Sequence, residues 1–205
     1  MLTQLTWVIA AALLDSPDKL QVLNGTAERA SYQGRDAVKL VPLRGHEHSD
    51  EEMMAIVPGT DFEDGTIEID VSGAPRAGST AGAKGFVGLA FRVQNNGKAS
   101  ELFYNRPVNG RTNDQAMRNH ATQYLSMPGF GWKKLREENP WVYESYVDLV
   151  PGKWTHLKIE VTGDKARFYV NGASQPTLIV NDLKRGKSRG AVALWATRRT
   201  PTSVV

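Results

Sequence analysis

Apolar residues fall at every second position through much of the chain. Ile67, Ile69 and Val71 alternate with Glu68 and Asp70, and Leu157, Ile159 and Val161 alternate with His156, Lys158 and Glu160. Phe168 and Val170 alternate in the same way with Arg167 and Tyr169. A period of two sends successive side chains to opposite faces of a sheet, so each run predicts a strand with one buried face. Leu157, Ile159, Phe168 and Val170 are then expected to face one core together. Thr162-Gly163-Asp164-Lys165 links two of these runs as a hairpin, with Gly163 able to take a positive φ. Further strand-like runs lie at residues 19–23, 27–32, 37–41, 53–57, 86–93, 101–104, 121–125, 177–180 and 191–196, with Asn-Gly, Gln-Gly and Pro-Gly signals among the turns. Short strands at this spacing, with helical periodicity confined to residues 5–14, predict an all-β fold: a two-sheet antiparallel jelly-roll sandwich with almost no helix.

Composition narrows this reading without changing it. A chain of 205 residues suits one sandwich domain, and 40% hydrophobic with 23% charged residues is ordinary globular usage. There is no Cys, which excludes disulfides, thiol catalysis and Cys-based zinc sites. Net charge is only +3. The densest basic stretch, Lys184-Arg185-Gly186-Lys187-Ser188-Arg189, lacks the interleaved aromatics of a nucleic-acid face and reads as a solvated turn; no nucleic-acid partner is expected. Residues 5–14 (LTWVIAAALL) are too short to span a bilayer. They read as a signal-peptide core with a small-residue cleavage site at Ala10-Ala11-Ala12, or as an apolar segment packed on the sandwich. Residues 1–15 are therefore set apart from a domain at 16–205, and a secreted or periplasmic location is expected.

The segment from Asn105 to Val150 breaks the alternation. It carries Arg106, His120, Gln123, Tyr124, Trp132, Trp141, Tyr143 and Tyr146 among scattered Pro and Gly. Long irregular connections on a rigid β scaffold usually bind or cover something.

Several segments resemble the concanavalin A-like lectin/glucanase and laminin G-like sandwiches. Gly152-Lys153-Trp154-Thr155-His156-Leu157-Lys158-Ile159, continued through Ala166-Arg167-Phe168-Tyr169-Val170-Asn171-Gly172, is similar to their Gly-x-Trp-x-x-hydrophobic hairpin. Asp64 to Val71, Gly85 to Arg92, Glu101 to Pro107 and Gly190 to Trp195 resemble other strands of the group, so the likeness covers roughly residues 20–196. The pattern is most similar to bacterial domains of the 3-keto-disaccharide hydrolase type and to the C-terminal modules of fructan hydrolases. The resemblance implies a secreted protein that acts on glycans or sits beside enzymes that do. Members usually close with an aromatic-rich strand after the Leu-Trp strand, whereas here the chain runs out as residues 197–205; the last strand is expected to be shortened, replaced or missing.

Candidate chemistry follows from residue type. Glu68 and Asp70 share a strand face, but the family 16 glucanase motif would need a second Glu where Ser72 and Gly73 stand, and glycoside hydrolysis needs two carboxyls. They read as polar-face residues. Arg92 and Glu101, on the two arms of a hairpin, are expected to pair across strands on the concave face. Gly88 and Ala90 would leave room for a ligand beside Arg92. Tyr104, Arg106, His120, Gln123 and Trp132 supply the aromatic faces and planar polar groups that sugars use. The expected ligand is thus a glycan or oligosaccharide contacting Arg92, Glu101, Tyr104, Arg106, His120, Gln123 and Trp132. Catalytic residues are unassigned. A glycoside hydrolase-like enzyme and a protein-binding adhesion module are the competing classes. His46-Glu47-His48 with Asp50-Glu51-Glu52 matches no fixed zinc spacing and reads as a solvated loop. No cofactor is expected, and although a structural calcium is common in related sandwiches, no loop has diagnostic calcium spacing. Trp154 and Trp195 are expected to pack in the core or on a sheet.

Overall fold

A computed structural model describes residues 17–43, 52–75, 79 and 82–197, together with the backbone of 6–8 and 203–204. In chain order the strands are β1 (Thr6–Val8), β2 (Gln21–Leu23), β3 (Gly25–Tyr32), β4 (Arg35–Pro42), β5 (Glu52–Ile56), β6 (Gly65–Val71), β7 (Val87–Gln94) and β8 (Ala99–Asn105). They continue as β9 (Thr122–Met127), β10 (Glu144–Ser145), β11 (Thr155–Thr162), β12 (Lys165–Val170), β13 (Leu178–Val180), β14 (Ala191–Thr197) and β15 (Ser203–Val204). Two short helices, α1 (Gln115–Asn119) and α2 (Trp132–Glu138), interrupt the second half.

The strands form a five-stranded sheet (β1-β6-β11-β12-β13) and a seven-stranded sheet (β10-β9-β8-β7-β14-β5-β2). The expected jelly-roll sandwich is the fold observed. Alternation places Ile67, Ile69, Leu157, Ile159, Phe168 and Val170 on the buried face of the first sheet, as expected. They meet Leu89, Phe91, Phe103 and Leu194 from the second; Phe103 and Phe168 stack with ring centroids 5.0 Å apart. Fully burying each such side chain contributes about 1.5–3 kcal/mol. The outward face of the five-stranded sheet carries Glu68, Asp70 and His156, with His156 Nδ1 2.8 Å from Asp70 Oδ1. In the β11–β12 hairpin Thr162 pairs with Lys165 and Gly163 takes φ 61°, the turn conformation that glycine adopts without steric cost.

Three features depart from expectation. A third sheet (β15-β4-β3) lies beside the sandwich; its last strand pairs Ser203 with Leu40 rather than closing a main sheet. β1 pairs in parallel with β6, Trp7 beside Ile67, so this piece of the apolar N-terminal segment adds a strand. The remainder of the proposed leader, and the His46–Glu51 part of the acidic loop, lie outside the described residues. Finally, the basic stretch is no free turn. The Lys184 amide donates to Tyr124 Oη at 2.8 Å, and the Arg185 amide donates to Glu101 Oε1 at 2.9 Å. Residues 183–189 thus strap one end of the sandwich. Trp154 sits half-buried just before β11, 5.8 Å from the Tyr32 ring and 5.3 Å from the Arg35 guanidinium. Among the described residues no helix is long and apolar enough to cross a membrane.

Candidate functional site

β7 and β8 decide where the expected site residues go. Their register pairs Gly88 with Tyr104, Leu89 with Phe103, Ala90 with Leu102 and Phe91 with Glu101. Directly paired residues share a face, so Gly88, Ala90, Leu102 and Tyr104 look away from the inter-sheet core, while Glu101 lies with Phe91 on the inner face. Glu101 is fully buried. Tyr124 Oη donates to its Oε2 at 2.6 Å, and burial, ahead of the opposing hydrogen bonds, raises its carboxyl above the ordinary value. The pairing jumps from Phe91–Glu101 to Gln94–Ala99, so β7 holds one extra residue as a bulge. Arg92 sits in that bulge at φ 53°, which turns its side chain inward, out of the alternation that Gly88 and Ala90 follow.

Arg92 is 0% exposed. Its guanidinium donates to Glu63 O at 3.0 and 2.8 Å, to Gly186 O at 2.7 Å, to Gly163 O at 2.7 Å and to Asp64 Oδ1 at 3.2 Å. It therefore ties the start of β6, the β11–β12 turn and the basic strap to the bulge. Arg92 and Glu101 do not form the expected pair on the ligand face, because the extra residue shifts the hairpin register by one.

The other five expected residues converge. On the outer face of the seven-stranded sheet lies a cleft of about 520 Å³ whose lining includes Phe86, Tyr104, Arg106, His120, Trp132 and Trp195. Gly88 lets β7 and β8 approach closely behind Tyr104, since a Cβ there would collide with Phe103 O and the Tyr104 Cβ. Beside it Tyr104 and Trp195 pack with centroids 5.0 Å apart. Tyr104 Oη donates to Gln123 Oε1 at 2.8 Å and accepts from Arg106 Nη2 at 2.6 Å. Arg106 Nη2 also donates to Gln123 Oε1. Gln123 is fully buried, and its Nε2 has no hydrogen-bond partner, an amide donor left unused beneath the cleft wall.

Glu144, which the sequence did not single out, joins these groups. It reaches the site because β10 pairs it directly with Gln123. Its Oε1 accepts from Arg136 and lies 3.4 Å from Arg106 Nη1; its Oε2 accepts from Arg136 Nε at 2.9 Å and lies 3.0 Å from His120 Nδ1. One buried carboxylate thus joins α2, the end of β8 and the residue after α1. Burial raises the Tyr104 hydroxyl to about 12, which keeps it a proton donor. Burial also holds the His120 imidazole below its ordinary value, against the opposing pull of Glu144, and the bonds to Glu144 raise Arg136.

Across the floor, Glu52 accepts from Trp195 Nε1 at 3.0 Å. Burial raises its carboxyl, more than that bond lowers it. The cleft wall ends in exposed aromatics: Trp132 is 48% exposed with the Arg136 guanidinium 5.0 Å from its ring centre. The arrangement offers aromatic faces beside fixed donors and acceptors, the inventory that binds polyhydroxylated rings. Among the described residues no group of three or more His, Asp and Glu could hold a metal ion.

No family model matches the chain, and no curated protein matches it. Solved structures do. The carbohydrate binding module CBM66 from Bacillus subtilis aligns over 91% of this chain and 91% of its own, with TM-score 0.58 and 16% identity. A Bacillus subtilis protein of unknown function with a galectin-like fold aligns over 92% of this chain and 86% of its own, with TM-score 0.58 and 13% identity. At this identity the likeness establishes the shared β-sandwich fold.

Proposed function

We propose that the protein is a glycan-binding sandwich and that its ligand lies in the cleft on the outer face of the seven-stranded sheet. The observation that carries the reading is the convergence of Tyr104, Arg106, His120, Gln123 and Glu144 into one largely buried polar network at the cleft that the open indole of Trp132 also lines. A network of this kind is pre-organised, so little is lost in ordering it when a sugar docks. The carbohydrate-binding module among the solved structures of the same fold supports the reading. Recognition of an extracellular or periplasmic glycan belongs to the same proposal, as does the finer kinship with the 3-keto-disaccharide hydrolase group, which rests on the strand motifs alone.

Binding is favoured over hydrolysis by the state of Glu52, which lines the cleft, and of Glu144, which contacts the lining residues Arg106 and His120. Hydrolysis of a glycosidic bond uses an acid and a nucleophile or base. Both oxygens of Glu144 are engaged by guanidiniums, which leaves Glu52, bonded to Trp195 Nε1, as the one carboxyl of the two without a cationic partner among the described residues. The test is a glycan array followed by calorimetry on responsive sugars, with reducing-sugar release measured in parallel. Binding without release is expected, and Trp132→Ala should weaken it roughly two- to tenfold, the worth of one aromatic contact, with an unchanged melting temperature. An array without any response, or a Trp132→Ala variant that binds as the parent does, overturns the proposal; sustained sugar release overturns the binding-only reading.

A further inference from the structure

Trp141 is the most exposed large hydrophobic side chain among the described residues, at 62%. It is also held in a left-handed backbone conformation, φ 69°, which is uncommon and strained for a bulky residue. A solvent-facing indole gains little from its own burial that would offset this strain. What the conformation achieves is visible in its contact. The indole lies parallel to the His120 ring, centroids 5.5 Å apart and planes 3° from parallel. One indole face is backed by an imidazole that itself lines the cleft, while the side chain remains largely open to solvent. Val142 and Tyr146 are exposed beside it in the chain, and Tyr146 is in turn backed by the Arg118 guanidinium at 4.7 Å.

Trp132 repeats the arrangement at the cleft itself, with Arg136 against its ring. Two exposed indoles are thus each braced by a polar group that contacts Glu144, and the brace of one, His120, lines the same cleft as the other, Trp132. Indoles braced in this way present fixed planar platforms to the C–H faces of sugar rings. Resting on the glycan-binding reading above, we propose that Trp141 forms an outer subsite, so that the ligand is an oligosaccharide chain running from the cleft over the His120–Trp141 stack rather than a single sugar unit. The neutral imidazole favoured by burial of His120 suits a stacked support and needs no charge on the ligand.

The experiment measures affinity along ladders from monosaccharide to hexasaccharide, using cello-, xylo-, arabino- and fructo-oligosaccharides, for the parent, Trp141→Ala and Trp132→Ala. The parent should bind longer members of one ladder more tightly than its monosaccharide. Trp141→Ala should erase that increment, a loss of roughly two- to tenfold confined to the longer members. Trp132→Ala should weaken every member alike. Three results overturn the inference: affinity independent of chain length in the parent, an increment that survives in Trp141→Ala, or a Trp141→Ala loss as large for the monosaccharide as for the chain, since that is the mark of a mere shield over His120. These leave glycan binding intact. A parent that binds no ladder member overturns the glycan-binding reading and this inference together.

Discussion

Replacing Arg92 by Ala separates a structural clasp from a ligand contact. The guanidinium, 0% exposed, donates to three backbone carbonyls and to Asp64. Each hydrogen bond to a charged group contributes about 1.5–3 kcal/mol in isolation. The four acceptors will not lose the full amount, because loops at the sandwich edge can admit water once the side chain is gone. The expected loss is about 3–5 kcal/mol, roughly the worth of two of these bonds, with little of it from Asp64, whose side chain is 42% exposed. At a urea slope of about 2–3 kcal/mol/M the unfolding midpoint should fall by about 1–2.5 M with the slope unchanged. The assay is urea unfolding followed by tryptophan fluorescence and circular dichroism, with coincident transitions as the two-state check. The folded fraction should bind glycan as the parent does, because Arg92 does not reach the cleft. An unchanged midpoint refutes the clasp. A normal midpoint with lost binding would restore Arg92 to the ligand face and refute the register on which the argument stands.

Two further perturbations probe the core and the cleft floor. Phe168→Ala removes the ring stacked on Phe103 and should cost about 3–5 kcal/mol; unchanged thermal stability would show that this face of the β11–β12 hairpin does not pack inward. Glu52 has a carboxyl raised in the fold above 4.5 by burial, so its contribution to stability is fully present below the unfolded pKa and is lost as pH rises through the folded one. Glu52→Gln keeps an acceptor for Trp195 Nε1 and removes that dependence. Its stability relative to the parent should therefore increase with pH above about 4.5, as read by melting temperature across a pH series. A flat difference curve would contradict the burial of that carboxyl.

The strands were legible because alternation is a local signal. Leu157, Ile159, Phe168 and Val170 could be assigned to one core from spacing alone, and all four are buried. The irregular segment also announced itself, and it delivers Arg106, His120 and Trp132 to the cleft. The register of β7 against β8 was not legible. A single bulge residue reverses which face Arg92 and Glu101 occupy, and no residue type at Arg92 signals it. Glu144 stood in a two-residue strand too short to carry a period. Arg136 lies on a seven-residue helix within a Pro- and Gly-broken segment. Trp195 lies in a strand whose sequence is apolar on both faces, so it read as core although its ring also lines the cleft. Glu52 followed two acidic residues and read as part of a solvated loop, yet it opens β5 and faces the cleft floor.

The strict alternation of β8 has a consequence for redesign. Leu102 and Tyr104 look outward while Glu101, Phe103 and Asn105 look inward. Substitution at Tyr104, the one of these that lines the cleft, can therefore recast ligand preference with the inter-sheet layer kept as a constant frame. A single-residue insertion in the same strand would do the opposite. It would exchange the two sets, driving Phe103 into the cleft and the Tyr104 hydroxyl into the packed interior, where it would lose its guanidinium and amide neighbours. The strand is thus intolerant of altered length, and libraries built on this scaffold should vary identity at the cleft-lining position and keep the spacing fixed.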